Sequence, residues 1–147
     1  MSELQAAMKI VLANTFVMYF KAHSYHWNIE GKNFSEYHEF FGDLYEELHG
    51  AVDPIAEQIR ALDAYAPFGL EDLYDAKTIA DDQSRVVLPQ QMFSNLLQAN
   101  TSLISSLDKA FELATYAKKQ GLCNYLADRL DIHAKHSWML KSYLKGI

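Results

Sequence analysis

The stretch 34-FSEYHEFFGDLYEELHGAVDPIAEQIRAL-62 carries apolar side chains at Tyr37, Phe41, Leu44, Leu48, Val52, Ile55, Ile59 and Leu62. Steps of three and four residues sustained over that length mark one long amphipathic helix. Pro54 lies inside the stripe, where it removes a backbone hydrogen bond and crowds the Gly50 carbonyl. The stripe keeps its phase on both sides, which predicts a kinked helix; two helices meeting at Pro54 is the alternative. Asn33 or Ser35 is placed to cap the start.

Upstream, Leu4, Met8, Val11, Leu12, Phe16, Tyr19 and Ala22 predict a first helix, with His26 on the edge of the same face. It should end near Asn28, because Asn28-Ile29-Glu30-Gly31-Lys32-Asn33 is turn chemistry. Downstream, residues 64–90 form a connection too long for a hairpin, with a turn at Ala66-Pro67-Phe68-Gly69 and a short helix over Leu70 to Ile79. A third helix starts near Pro89 and carries Phe93, Leu96, Leu97, Leu103, Ile104, Leu107, Phe111 and Ala114. Gly121 is expected to break it. A fourth follows with Leu122, Leu126, Leu130, Ile132, Leu140 and Leu144. The expected fold is all-α: a ferritin-like four-helix bundle with a short extra helix in the long crossover between helices 2 and 3, forming a single domain over residues 1–147.

Composition agrees with that class. Half of the 147 residues are hydrophobic, with six Gly and three Pro, which argues against a loop-rich β protein or a disordered chain. The net charge of −6 argues against a surface that attracts nucleic acid generally. A lone cysteine, Cys123, cannot form an internal disulfide. Lys9, Asn14, Lys21 and His23 interrupt the apolar runs, so no membrane span is expected, and Met-Ser-Glu-Leu-Gln lacks the basic start of a signal peptide. A soluble, reduced, cytoplasmic chain is the expectation. Six histidines stand out, four of them within the first 49 residues.

Helical geometry limits which polar groups can meet. Asp53 and Glu57 are one turn apart and can hold one cation together; His49 lies one turn earlier and can join them. His38 is fifteen residues from Asp53, which at the helical rise is about 22 Å. One metal ion cannot bind both within one chain. His26, near the end of the first helix, reaches the height of His38, near the start of the second. A twofold dimer with antiparallel second helices would bring His26 and His38 of one subunit to Asp53 and Glu57 of the other. Two nitrogens and two carboxylates suit Fe(II), and Zn(II) or Mn(II) with less selectivity. The plainer alternatives stay open: hydrogen-bonded structural histidines and a solvated acidic helix face.

The runs Tyr25-His26-Trp27-Asn28-Ile29-Glu30-Gly31, Asn33-Phe34, Tyr37-His38-Glu39, Val52-Asp53 and Ile55-Ala56-Glu57-Gln58-Ile59-Arg60 resemble the Dps family of mini-ferritins. So does the end of the chain, from His133 to His136-Ser137-Trp138-Met139-Leu140. The resemblance covers essentially the whole chain, and the His-x11-His-x14-Asp-x3-Glu pattern is specific. It implies a hollow homododecamer with iron sites at twofold dimer interfaces. Fe(II) would be oxidised there, preferably by hydrogen peroxide rather than O2, and ferric mineral stored inside. The implied ferroxidase and metal ligands are His26, His38, Asp53 and Glu57. Trp27 matches a tryptophan kept beside the site, where an electron-rich ring can intercept an escaping radical.

The chain also departs from the pattern. Gly42 stands where many members carry an aspartate, and the adjacent Asp43 points about 100° away, which puts the second iron position in doubt. Pro54 separates the two carboxylates. Asn124 falls at an acidic position of the threefold pore, with Lys118 and Lys119 nearby and Asp128 retained; a less negative pore concentrates cations less. No basic tail is visible, only Lys9 among the first ten residues and Lys141 and Lys145 near the end, so no appreciable DNA binding at physiological salt is expected. His49 or Glu46 would be an accessory, while His23, His133 and His136 are read as structural. Two competitors remain. A ferritin with an intra-subunit di-iron centre would use Glu46-x-x-His49, but His133-x-x-His136 brings no matching acid. The other is a catalytically weak shell or DNA-associated structural protein that keeps only the fold.

Overall fold

The computed structural model describes residues 1–147 as five helices and no strand. Helix α1 spans Glu3–Asn28, α2 Phe34–Ala61, α3 Leu70–Ala76, α4 Pro89–Tyr116 and α5 Gln120–Lys145. α1 packs on α2, α4 and the short α3, and α4 packs on α5. Two short connections and one long crossover from α2 to α4 make this a ferritin-like bundle.

Local chemistry sets the boundaries. Ser2 and Gln5 form a reciprocal capping box at the start of α1. Gly31, at φ +108°, supplies a backbone conformation in the α1–α2 turn that side chains with a Cβ rarely adopt. Asn33 occupies the N-cap of α2, but its side chain donates to the Tyr37 hydroxyl at 3.3 Å rather than capping the backbone. α2 runs through Pro54 without a break. The carbonyl of Gly50, freed by the missing N–H, lies on an exposed turn where water can satisfy it.

Two boundaries fall elsewhere than the sequence predicts. α3 stops at Ala76, short of Ile79, because the backbone N–H groups of Thr78 and Ile79 donate to the side-chain oxygen Oδ1 of Asn14 at 2.8 and 3.3 Å. The break before α5 lies at Lys118, not Gly121, which is inside the first turn of α5. Lys118 takes the left-handed conformation (φ +58°), and the N–H groups of Lys118 and Lys119 close onto Thr115 and Ala114. That is a Schellman stop built without glycine.

The crossover is fastened to buried polar groups on α1. Besides Asn14, Lys21 pairs with Asp82 at 2.8 Å, and the Tyr25 hydroxyl donates to the other Asp82 oxygen at 2.9 Å. Burial first, then the Asp82 carboxylate, raises the Tyr25 pKa and keeps it a donor. Phe41, Leu48, Ile55, Met92, Phe93, Leu96 and Leu103 form the fully buried centre. The inward faces differ from the predicted stripes in places. Ala51 rather than Val52 is buried before Pro54, and Met18 and Tyr25 rather than Phe16 and Tyr19 are buried on α1.

Candidate metal centre

His26 near the end of α1 and His38 in the first turns of α2 come together across the turn. Their rings stack with centroids 3.8 Å apart and planes 15° from parallel. His26 Nδ1 lies 2.7 Å from the His38 carbonyl oxygen, and His38 Nδ1 lies 2.7 Å from the His26 carbonyl oxygen. A carbonyl can only accept, so both rings carry a proton on Nδ1. That leaves Nε2 as the nitrogen of each ring that can face a metal ion, the second-sphere arrangement typical of histidine ligands. Phe34 flanks the pair, 4.9 Å from the His38 ring.

Gly42 makes room for this pose. A Cβ placed there would lie 3.1 Å from His26 Cε1 and 3.2 Å from His26 Nδ1. The residue that looks like a missing carboxylate in the sequence is also the floor on which His26 rests.

Asp53 and Glu57 lie on the exposed face of α2, with Asp53 about 22 Å along the helix from His38 and Glu57 one turn farther. No three His, Cys, Asp or Glu side chains within the protomer converge on a position suited to one metal ion. His49 and Glu46 are exposed. The His49 ring rests 4.9 Å from Tyr19.

Sequence reasoning missed the interior of α5. In place of Leu130 and Ile132, its buried face runs Leu122, Leu126, Arg129, His133, His136, Leu140. Arg129 holds Glu47 through both terminal nitrogens, and His136 Nε2 lies 2.7 Å from Glu47 Oε1. His133 bridges Arg129 and Asn100 at 2.9 and 2.7 Å. Burial alone would raise the Glu47 pKa, but hydrogen bonds from His136 and Arg129, with their charge, bring it down to about 2. Burial, then the positive charge of Arg129 and His136, lowers that of His133 to about 3. The signal was available: the spacing from Leu122 and Leu126 to Leu140 requires positions 129, 133 and 136 to face inward. This arrangement also disfavours an intra-subunit di-iron centre. Glu47, not Glu46, points into the bundle, its oxygens are taken by N–H donors, and a guanidinium sits where a metal cation would be needed.

Residues 5–147 match the ferritin family, described as a ferritin-like domain, so the fold and the sequence define a ferritin-class protein. The chain is 33% identical over 144 residues to general stress protein 20U of Bacillus subtilis, covering 96% of each chain. It is 31% identical over 142 residues to the DNA protection during starvation protein of Brevibacillus brevis, covering 91% of this chain and 89% of that one. The Dps protein of Vibrio cholerae, described as a member of the ferritin-like diiron-carboxylate superfamily, superposes with a TM-score of 0.92 at 28% identity. That alignment covers 97% of this chain and 89% of the other. The chain belongs to the Dps family of iron-handling mini-ferritins. No helix is long and apolar enough to cross a membrane.

Proposed function

We propose that the protein is a ferroxidase mini-ferritin whose metal site is shared between two copies. His26 and His38 of one subunit and Asp53 and Glu57 of its twofold partner would bind Fe(II) as substrate. The observation that carries this reading is the stacked, reciprocally anchored histidine pair: both rings are oriented, each leaves Nε2 to face a metal ion, and no acid of the same chain joins them. Phe20, Trp27 and Phe34 on the same side are each more than two-fifths exposed in the lone protomer, as expected of rings that a neighbouring subunit covers.

Two ferrous ions bound together can deliver two electrons to one peroxide and avoid the single-electron step that releases hydroxyl radical. Carboxylate ligands favour the product because anionic oxygen stabilises Fe(III) more than Fe(II). Zn(II) and Mn(II) fit the same donors and would compete. Ferric product would be stored inside a closed homododecamer in the cytoplasm. The exposed Asp128 and Asn124 near the start of α5 would line the approach. Hydrogen peroxide is the preferred oxidant in this reading, with O2 slower, and DNA is not a partner at physiological salt. The test is anaerobic Fe(II) loading followed by peroxide in the wild type and in Asp53→Ala. Ferric absorbance that needs Asp53 supports the ferroxidase, whereas equal rates in the two proteins contradict it.

A further inference from the structure

Two donors on α2, Glu46 and His49, take no part in the site proposed above. Helical geometry puts them on one face with His38, Asp53 and Glu57, all five within about 100° of arc. Glu46, His49, Asp53 and Glu57 are exposed in the protomer. The ion pairs of the protomer lie elsewhere: Lys21 with Asp82, and Glu47 with Arg129 and His136. Neighbouring glutamates thus have opposite fates. Glu47 turns into the bundle and is neutralised there, whereas Glu46 faces outward beside a histidine. Tyr19 steadies that histidine, with 4.9 Å between the ring centroids.

Pairing His38 with Asp53 and Glu57 of the partner subunit fixes the register of two antiparallel α2 helices. In such a pair, two residues stand level when their numbers add to a constant. Setting His38 level with the middle of the partner's carboxylate pair makes that constant about 93, so the twofold axis crosses α2 between residues 46 and 47. Glu46 then faces Glu46 of the partner subunit with an offset of about 1.5 Å along the helices, and the partner's His49 with about 3 Å. The second offset equals the one between His38 and the partner's Glu57, so the first site already requires contacts of that reach.

The twofold repeats the set, and two carboxylates and two imidazoles converge on the axis. Carboxylates brought face to face repel unless a positive charge lies between them. Arg60 is the only Lys or Arg on α2, and it stands about 21 Å along the helix from Glu46. Two nitrogen and two oxygen donors suit a four-coordinate divalent ion, Zn(II) or Fe(II). We infer that Glu46 and His49 of both subunits form a further divalent-cation site on the twofold axis, midway between the two ferroxidase sites. The inference rests on the shared-site reading, which supplies the register. An ion bound there clasps the two α2 helices and lies about 13 Å along them from the level of each His38.

The test is equilibrium dialysis of the assembled protein against Zn(II), with bound metal counted per chain and the assembly checked by native mass spectrometry. A site on the axis serves two chains, so His49→Ala and the near-isosteric Glu46→Gln should each lose about half an ion per chain. The same loss is expected when either change is added to Asp53→Ala/Glu57→Ala, which lacks the ferroxidase carboxylates. No loss in His49→Ala overturns the inference and means that His49 meets Glu46 without a metal. A loss of about one ion per chain also overturns it, because the ligand then serves one site in every chain. Fe(II) oxidation by peroxide in the wild type and in Asp53→Ala reads the ferroxidase separately. If that oxidation does not need Asp53 while the half-ion loss persists, the axial site stands and the ferroxidase reading falls.

Discussion

Replacing Gly42 by alanine would put a methyl group 3.1 Å from His26 Cε1, so that the ring must give by a few tenths of an ångström and its 2.7 Å bond to the His38 carbonyl is disturbed. On the proposed reading of His26 as a ligand, disturbing such a second-sphere bond should lower metal affinity roughly tenfold. Alanine also favours a helix over glycine by about 1 kcal/mol, so global stability should hold. Anaerobic titration calorimetry with Fe(II), beside thermal unfolding, separates the two effects; equal affinity in the variant would remove Gly42 from the site. His133 and Glu47 carry a second prediction. Each holds its proton less tightly folded than unfolded, falling from 6.5 to about 3 and from 4.5 to about 2. Stability is therefore full above pH 6.5 and drains as pH falls, first through His133 and then through Glu47. Urea midpoints measured between about pH 7 and pH 4.5 should fall in the wild type and stay flatter in His133→Gln. An unchanged slope would contradict this. At this scale the sequence supplied residue types and heights, which suffice to pair His26 with His38. It could not show the reciprocal carbonyl bonds, which depend on how the turn at Gly31 folds back. Nor could it show that Gly42 supports a ring, because a missing side chain reads only as a missing ligand.

Helix ends and faces make separate predictions. Lys118 sits in the left-handed region that closes α4, a conformation that costs a residue with a Cβ roughly 1 kcal/mol. Lys118→Gly should raise the unfolding free energy by about 0.5–1 kcal/mol, read by urea denaturation; a lower midpoint would mean the Lys118 side chain contributes elsewhere. Asp82→Ala removes the partner of Lys21, whose side chain is only 5% exposed, and should cost about 2 kcal/mol. Hydrogen exchange should rise first in residues 77–86, ahead of the four long helices. The long helices were legible because their apolar residues recur at helical spacing over many turns, and α2 could be followed through Pro54 on phase alone. The inward face of α5 was misread for an equally physical reason. Hydrophobicity drew the stripe to Leu130 and Ile132, whereas the buried positions hold Arg129, His133 and His136. Buried polar residues satisfied by one another leave no mark in an apolar pattern. The stop at Lys118 was missed in the same way, since a glycine three residues later carried the stronger local signal.

On the scale of the molecule, the central claim is that one chain holds two halves of different metal sites. The histidine end and the carboxylate face of α2 are about 22 Å apart on an unbroken helix. That separation was readable directly from residue spacing, and the fold has kept it. The partner surface was not readable, because association depends on shape across many side chains rather than on a motif. Complementation tests the claim directly. His26→Ala/His38→Ala and Asp53→Ala/Glu57→Ala chains, each inactive alone, are unfolded together, reassembled in equal amounts and assayed for Fe(II) oxidation by peroxide. With a shared site, each mixed dimer contains one intact site and one doubly broken site, so roughly a quarter of wild-type activity should return. If the co-assembled protein stays as inactive as either parent, the two halves do not meet across a dimer and the account is wrong.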